Sequence, residues 1–152
     1  MPARGRTVLQ GDRAKAYRPL PARARRSALA AFLAAYDRGD AFLAHELLEP
    51  AWMGTAVMPE RDLYQGLIKL AASDVHAVRG NPVGEVKNLR GARARLAAAA
   101  SAVARGGPDG GLDLDELLQS IDRRLGALTA GQAPPPPDDA PVVTLPRRAS
   151  AS

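Results

Sequence analysis

Apolar residues through the middle of the chain recur at intervals of three and four, the period of an amphipathic helix. The first stripe predicts a helix over about residues 22–37, and the clearest stripe predicts another that follows residue 113. The two stripes consist of Leu29, Phe32, Leu33 and Tyr36, and of Leu114, Leu117, Leu118, Ile121, Leu125 and Leu128.

Capping and turn residues divide the region between these stripes into three more helices. Asp40 can cap a helix that ends near Pro50 to Trp52, and Pro59 opens a helix that continues to Arg79. Further start signals are Asn81-Pro82 for the fourth helix and the capping box of Asp113 and Glu116 for the fifth.

The connections between these helices are short, which favours antiparallel packing of neighbours. Hydrophobic residues make up 46% of the chain and aromatic residues only 4%, so small aliphatic side chains must build the core. We therefore predict an all-α fold, a compact bundle of about five helices with disordered termini.

The ends of the chain lack this periodicity and are expected to be flexible. We divide the chain into a flexible basic arm over residues 1–20, a helical domain over 21–131 and a proline-rich disordered tail over 132–152. The net charge of +5 is concentrated at the start, because residues 1–26 hold eight basic side chains and one acidic one.

Composition argues against secreted and membrane proteins. The absence of cysteine excludes disulfides and thiolate metal sites. No apolar run approaches the roughly 20 residues that a membrane-spanning helix needs, and no apolar segment follows the first basic residues as in a secretory signal. We expect a cytoplasmic protein with no membrane partner.

The second helix carries the first candidate chemistry. His45 and Glu49 are four residues apart, hence on one helical face with about 6 Å of axial rise between them. Trp52 extends this face, while Glu46 lies about 100° away around the helix and need not join it.

On the third helix, Gln65, Lys69 and His76 share one broad face. If that face meets the second helix, His45, Glu49 and His76 converge and could bind a divalent metal such as zinc, iron or manganese. The zincin protease pattern is excluded, because it needs a histidine at the position of Glu49.

Other functions of the same residues stay open. His45 and Glu49 can form a structural hydrogen-bonded pair. Alternatively, the protein is a metal-dependent or acid–base hydrolase-type enzyme; in the acid–base case Glu49 orients His45 as general base and His76 or Lys69 stabilises negative charge. The arm over residues 1–26 could associate with nucleic acid through phosphates, or be a plain solubilising end.

Three blocks in order, between about Ala30 and Leu128, resemble the family known as domain of unknown function 309. The first is FLAAYDRGDAFLAHELLEPAW, with Gly39, His45, Glu46, Glu49 and Trp52. The second is LYQGLIKLAASDVHAVRGN, with Gln65, Gly66, Leu67, Ile68, His76, Gly80 and Asn81. The third is RGARARL, with Gly91, Ala92 and Leu96. Pro50 and Lys69 depart from the pattern of the family.

The resemblance implies an all-helical, cytoplasmic protein from a bacterium or archaeon, with no established activity to transfer. It also implies that the chemistry-bearing residues of the first two blocks form one constellation. We expect a small cytoplasmic helical protein whose interhelical polar site binds a small ligand or a divalent metal, and we consider a homodimer through exposed helix faces. The expected ligand site comprises His45, Glu46, Glu49, Trp52, Gln65, Lys69 and His76.

Overall fold

A computed structural model of the chain describes residues 7–10, 13–16 and 18–149, with side chains for 18–149. In this part of the chain the helices are α1 (Ala22–Asp37), α2 (Ala41–Met53), α3 (Met58–Val78), α4 (Pro82–Val103) and α5 (Leu114–Thr129). Each helix packs against the next one, and α3 and α4 share the most extensive contact. The predicted all-α bundle of about five helices is confirmed.

Helix boundaries follow the capping residues. The side chain of Asp40 accepts a hydrogen bond from the Leu43 amide at 3.2 Å, and Asp113 accepts one from the Glu116 amide at 3.0 Å. Pro50 lies inside α2, which ends three residues later at Met53. The missing amide of Pro50 therefore falls in the last turn of the helix.

The predicted basic arm contains two short strands, β1 (Thr7–Gln10) and β2 (Arg13–Ala16). They pair antiparallel, with Thr7 opposite Ala16. The sequence analysis expected no regular structure here, because four-residue strands are too short for an alternating pattern to be recognised. The other residues of 1–17 lie outside the described residues.

The core is built from aliphatic side chains of all five helices together with a few aromatic ones. Phe32 and Tyr36 of α1 stack with ring centroids 5.6 Å apart, and both are fully buried. Leu96 of α4 packs where Gly66 of α3 lacks a side chain, so these two helices approach closely. The absence of a β-carbon at Gly66 therefore sets the contact between α3 and α4.

The described part of the predicted disordered tail, residues 132–149, packs against the bundle instead. Val143 and Leu145 are only 5% and 6% exposed. The Val142 amide donates to Asp74 at 2.7 Å, and the Tyr36 hydroxyl donates to the Val143 carbonyl at 2.6 Å. The tail is therefore held against the bundle by buried apolar side chains and by hydrogen bonds to α1 and α3, although its proline-rich composition indicates no regular structure.

No helix in the described part of the chain is long and apolar enough to cross a membrane.

Candidate functional site

The α2 side of the site carries His45, Glu49 and Trp52. The His45 Nε2 and Glu49 Oε2 atoms are 3.9 Å apart, and their side chains are 33% and 27% exposed. The two groups are on one face, as four-residue spacing predicts, but the distance exceeds that of a hydrogen bond. Glu46 is exposed.

The Trp52 side chain of α2 contacts Arg61 near the start of α3. The guanidinium carbon of Arg61 lies 5.5 Å from the centre of the Trp52 ring, a cation–π contact. The Trp52 side chain is fully buried, yet its Nε1–H has no hydrogen-bond partner within the described residues. A buried donor left unpaired costs about 1–3 kcal/mol.

The sequence analysis did not include Arg61 in the site. Arg61, Gln65 and Lys69 are spaced by four residues, so they lie along one side of α3. That spacing was the signal that could have identified Arg61. Burial lowers the pKa of the Arg61 guanidinium, Asp62 raises it and Arg95 lowers it further.

Gln65 is the second unpaired donor of the site. Its side chain is 3% exposed, and its Nε2 atom has no hydrogen-bond partner in the described structure. Two buried N–H groups, one on each of two contacting helices, therefore lack an acceptor.

Lys69 lies one turn beyond Gln65, against α4. A β-carbon placed on Gly91 would come within 2.9 Å of Lys69 Cδ and 3.5 Å of Lys69 Nζ, so the absence of a side chain at Gly91 makes room for the lysine. Burial lowers the pKa of Lys69, and the positive charges of Arg95 and Lys87 lower it further.

His76 belongs to the corner between α3 and α4. Its Nδ1 atom is 3.1 Å from the side-chain amide nitrogen of Asn81, whose oxygen accepts from the Gly84 amide at 3.1 Å. A β-carbon on Gly84 would lie 2.6 Å from His76 Nδ1. Asn81 therefore caps α4 and contacts the imidazole at the same time.

Helix geometry separates His76 from His45. Residues 54–57 join α2 to α3, the two helices contact each other, and so short a connection favours antiparallel packing. Trp52 meets Arg61 near this connection, and His45 is seven residues before Trp52 while His76 is fifteen after Arg61. At 1.5 Å per residue, antiparallel packing would put the two histidines about 12 Å apart along the helix axis.

Among the described residues, no three His, Cys, Asp or Glu side chains are grouped so that they could hold a metal ion. His45, Glu49 and His76 are therefore not gathered in the way that the metal hypothesis expected. The reason is the length of α3, which carries His76 beyond the part that faces His45. Metal binding by these three residues stays a prediction.

A second set of buried polar side chains, which was not predicted from the sequence, links α3, α4 and α5. Arg124 forms two hydrogen bonds with Glu85, of 2.7 and 3.2 Å, and Glu85 is 3% exposed. Asp74 is 4% exposed, and this burial raises its pKa. The nearby charge of Glu85 raises the pKa further, whereas the hydrogen bond from the Val142 amide and the charge of Arg124 lower it. The sequence did carry a signal, because Asp74 and Glu85 occupy positions of otherwise apolar helical stripes.

A separate cleft of about 490 Å³ lies between α1, the start of α3 and the loop before α5. Arg25 donates to Glu60 in it, and burial together with Glu60 raises the pKa of Tyr64 to about 12. None of the seven residues of the expected ligand site lines this cleft.

The comparison with known families identifies part of the chain. The model of a family described as domain of unknown function (DUF309) matches residues 29–93. The match confirms the suspected resemblance, and it contains the α2 and α3 residues of the site, while the proposed third block extends beyond its end. No curated protein and no solved structure matches the chain.

Proposed function

Residues 29–93 of the chain match the model of the DUF309 family. We propose that the protein binds a small molecule at the surface between α2 and α3. One observation carries the proposal. The buried N–H groups of Trp52 and Gln65 have no acceptor within the described structure, on two helices that meet at the contact between Trp52 and Arg61. A ligand that supplies acceptor oxygens to them would remove this cost.

The residues around these donors indicate which class of ligand the site binds. Trp52 offers an aromatic ring, and Arg61 stands over that ring with a charged guanidinium. Such a mixture of apolar surface and a few polar groups is typical of small-molecule sites. We infer a ligand with at least one carbonyl, carboxylate or phosphate oxygen.

No specific observation favours the alternative functions. The distance of 3.9 Å between His45 and Glu49 gives no particular support to acid–base catalysis. Nucleic-acid association through residues 1–26 stays a prediction, since most of the arm lies outside the described side chains.

Trp52 makes the proposal testable, because it is the one tryptophan of the chain and its fluorescence reports on the site. Wild-type protein is titrated with small compounds that carry a phosphate, a carboxylate or a neutral amide. We expect one class to change the Trp52 emission saturably, and Gln65→Met to weaken that binding about tenfold through loss of a hydrogen bond.

Gln119→Met is the matched control, because Gln119 is an exposed glutamine on α5. It should bind as the wild type does. The proposal fails if no class of compound changes the emission, or if Gln65→Met binds as tightly as the control.

A further inference from the structure

Four basic side chains lie on α3 and α4, and two of them, Arg61 and Lys69, are each one turn from Gln65. We call them the cation cluster: Arg61, Lys69, Lys87 and Arg95. Arg95 Nη1 is 3.3 Å from Asp62 Oδ1, which offsets one of the four charges.

The cations are close enough to repel one another. Arg95 disfavours the charged form of both Arg61 and Lys69, and Lys87 does the same to Lys69. Like charges that share a partly buried region raise each other's free energy. The protein therefore keeps mutually repelling positive charges on the side of α3 that carries the unpaired N–H of Gln65.

The position of Lys69 depends on its neighbour in α4. Its side chain lies over Gly91, at the place where any larger residue would put a β-carbon. Glycine inside a helix is less favourable than alanine, and at residue 91 it makes room for the lysine stem. The cluster is thus arranged by packing as well as by charge.

We propose that the cation cluster and the Gln65 amide bind a compact oxyanion, either a phosphate or a polycarboxylate group. This inference rests on the proposed function and names the class of its ligand. Oxygens of such a group accept from N–H donors, and its charge neutralises lysine and arginine side chains, which suit phosphate and carboxylate. Because Gln65 is 3% exposed, a small anion fits the site better than a macromolecular surface does.

The test uses inorganic phosphate, pyrophosphate and citrate as probes, with Trp52 emission and calorimetry as readouts at constant ionic strength. We expect saturable binding of at least one probe, weakened tenfold or more in Lys69→Met. Gly91→Ala should weaken it several-fold, because the new β-carbon displaces the lysine without removing its charge. Lys87→Gln, at an exposed position on α4, is the second variant should Lys69→Met not fold.

Arg90→Gln is the matched control, since it removes one positive charge from an exposed position of the same helix. It should bind each probe as the wild type does. The inference is overturned if none of the three anions binds, or if Arg90→Gln weakens binding as much as Lys69→Met. Binding of neutral amides but not anions, in the titrations described above, would remove this inference and leave the proposed function standing.

Discussion

At the scale of single residues, the buried polar side chains differ in whether they have partners. Glu85 is paired with Arg124, and Asp74 accepts from Val142. The amide nitrogen of Gln65 has no such partner among the described residues. A buried polar group that has a hydrogen-bond partner within the fold has a structural role. A buried polar group without such a partner is a better indication of a ligand.

Asp74 should make the stability of the protein depend on pH. Its folded-state pKa is raised above 3.8, so the ionised form is disfavoured in the folded protein. The contribution of Asp74 to the free energy of unfolding should therefore be most favourable below that value and fall as the pH rises from 3.8 through the folded-state pKa. Asp74→Asn keeps an oxygen that can accept from Val142 and should lack this fall.

Urea unfolding of the wild type and Asp74→Asn at a series of pH values measures this difference. The advantage of the variant should grow with pH across the window, whereas Asp115→Asn, at an exposed position on α5, should follow the wild type. A difference in the free energy of unfolding between Asp74→Asn and wild type that stays constant with pH would show that ionisation of Asp74 does not destabilise the folded protein.

The sequence predicted those residue pairs that are local in the chain. The shared face of His45 and Glu49, and that of Gln65 and Lys69, follow from four-residue spacing. The contact of Arg61 with Trp52 did not follow, because it depends on how two helices are rotated about their axes. The position of His76 relative to the second helix did not follow either, since spacing along one helix does not show where the neighbouring helix ends.

At the scale of the elements, helix boundaries were predictable and close helix contacts were not. Asp40, Asn81 and Asp113 cap helices as their side chains indicate, because capping is a local interaction. A glycine within a helical pattern gives no such local indication of its role. Gly66 shows its role only against Leu96 of α4.

Gly66→Ala should destabilise the contact between α3 and α4. The added β-carbon would lie 2.6 Å from Leu96 Cγ, and Leu96 is fully buried and cannot move aside freely. Overpacking of this kind costs typically about 1–3 kcal/mol, against a gain of roughly 1 kcal/mol in helix propensity. Thermal and urea unfolding should therefore show a net loss of stability.

Gly126→Ala is the control for this effect, because a β-carbon on Gly126 of α5 meets nothing within 4 Å. It should raise the free energy of unfolding by roughly 0.5–1 kcal/mol. Equal stabilisation by both substitutions would mean that Gly66 does not set the distance between α3 and α4.

At the scale of the whole molecule, the tail shows what composition cannot predict. Its proline-rich sequence indicates a flexible end, yet Val142 contacts a residue 68 positions earlier and Val143 one 107 positions earlier. Such distant partners leave no periodic signal in the tail itself. The all-α architecture was predictable because it follows from local stripes and short connections.

The stability of the whole molecule is affected as well, because the ligand-free fold leaves the N–H groups of Trp52 and Gln65 unpaired within the described structure and a bound ligand would supply their acceptors. Proteins often give up stability at binding sites in this way. Gln65→Met keeps a similar shape and removes the amide, so the ligand-free variant should be more stable than wild type by about 1 kcal/mol.

The decisive measurement is the free energy of urea unfolding of ligand-free wild type, Gln65→Met and the exposed control Gln119→Met. We predict that Gln65→Met unfolds at a higher urea concentration than wild type, while the control stays within about 0.5 kcal/mol of it. A Gln65→Met protein less stable than wild type would contradict the account, because it would show that the fold itself uses the amide.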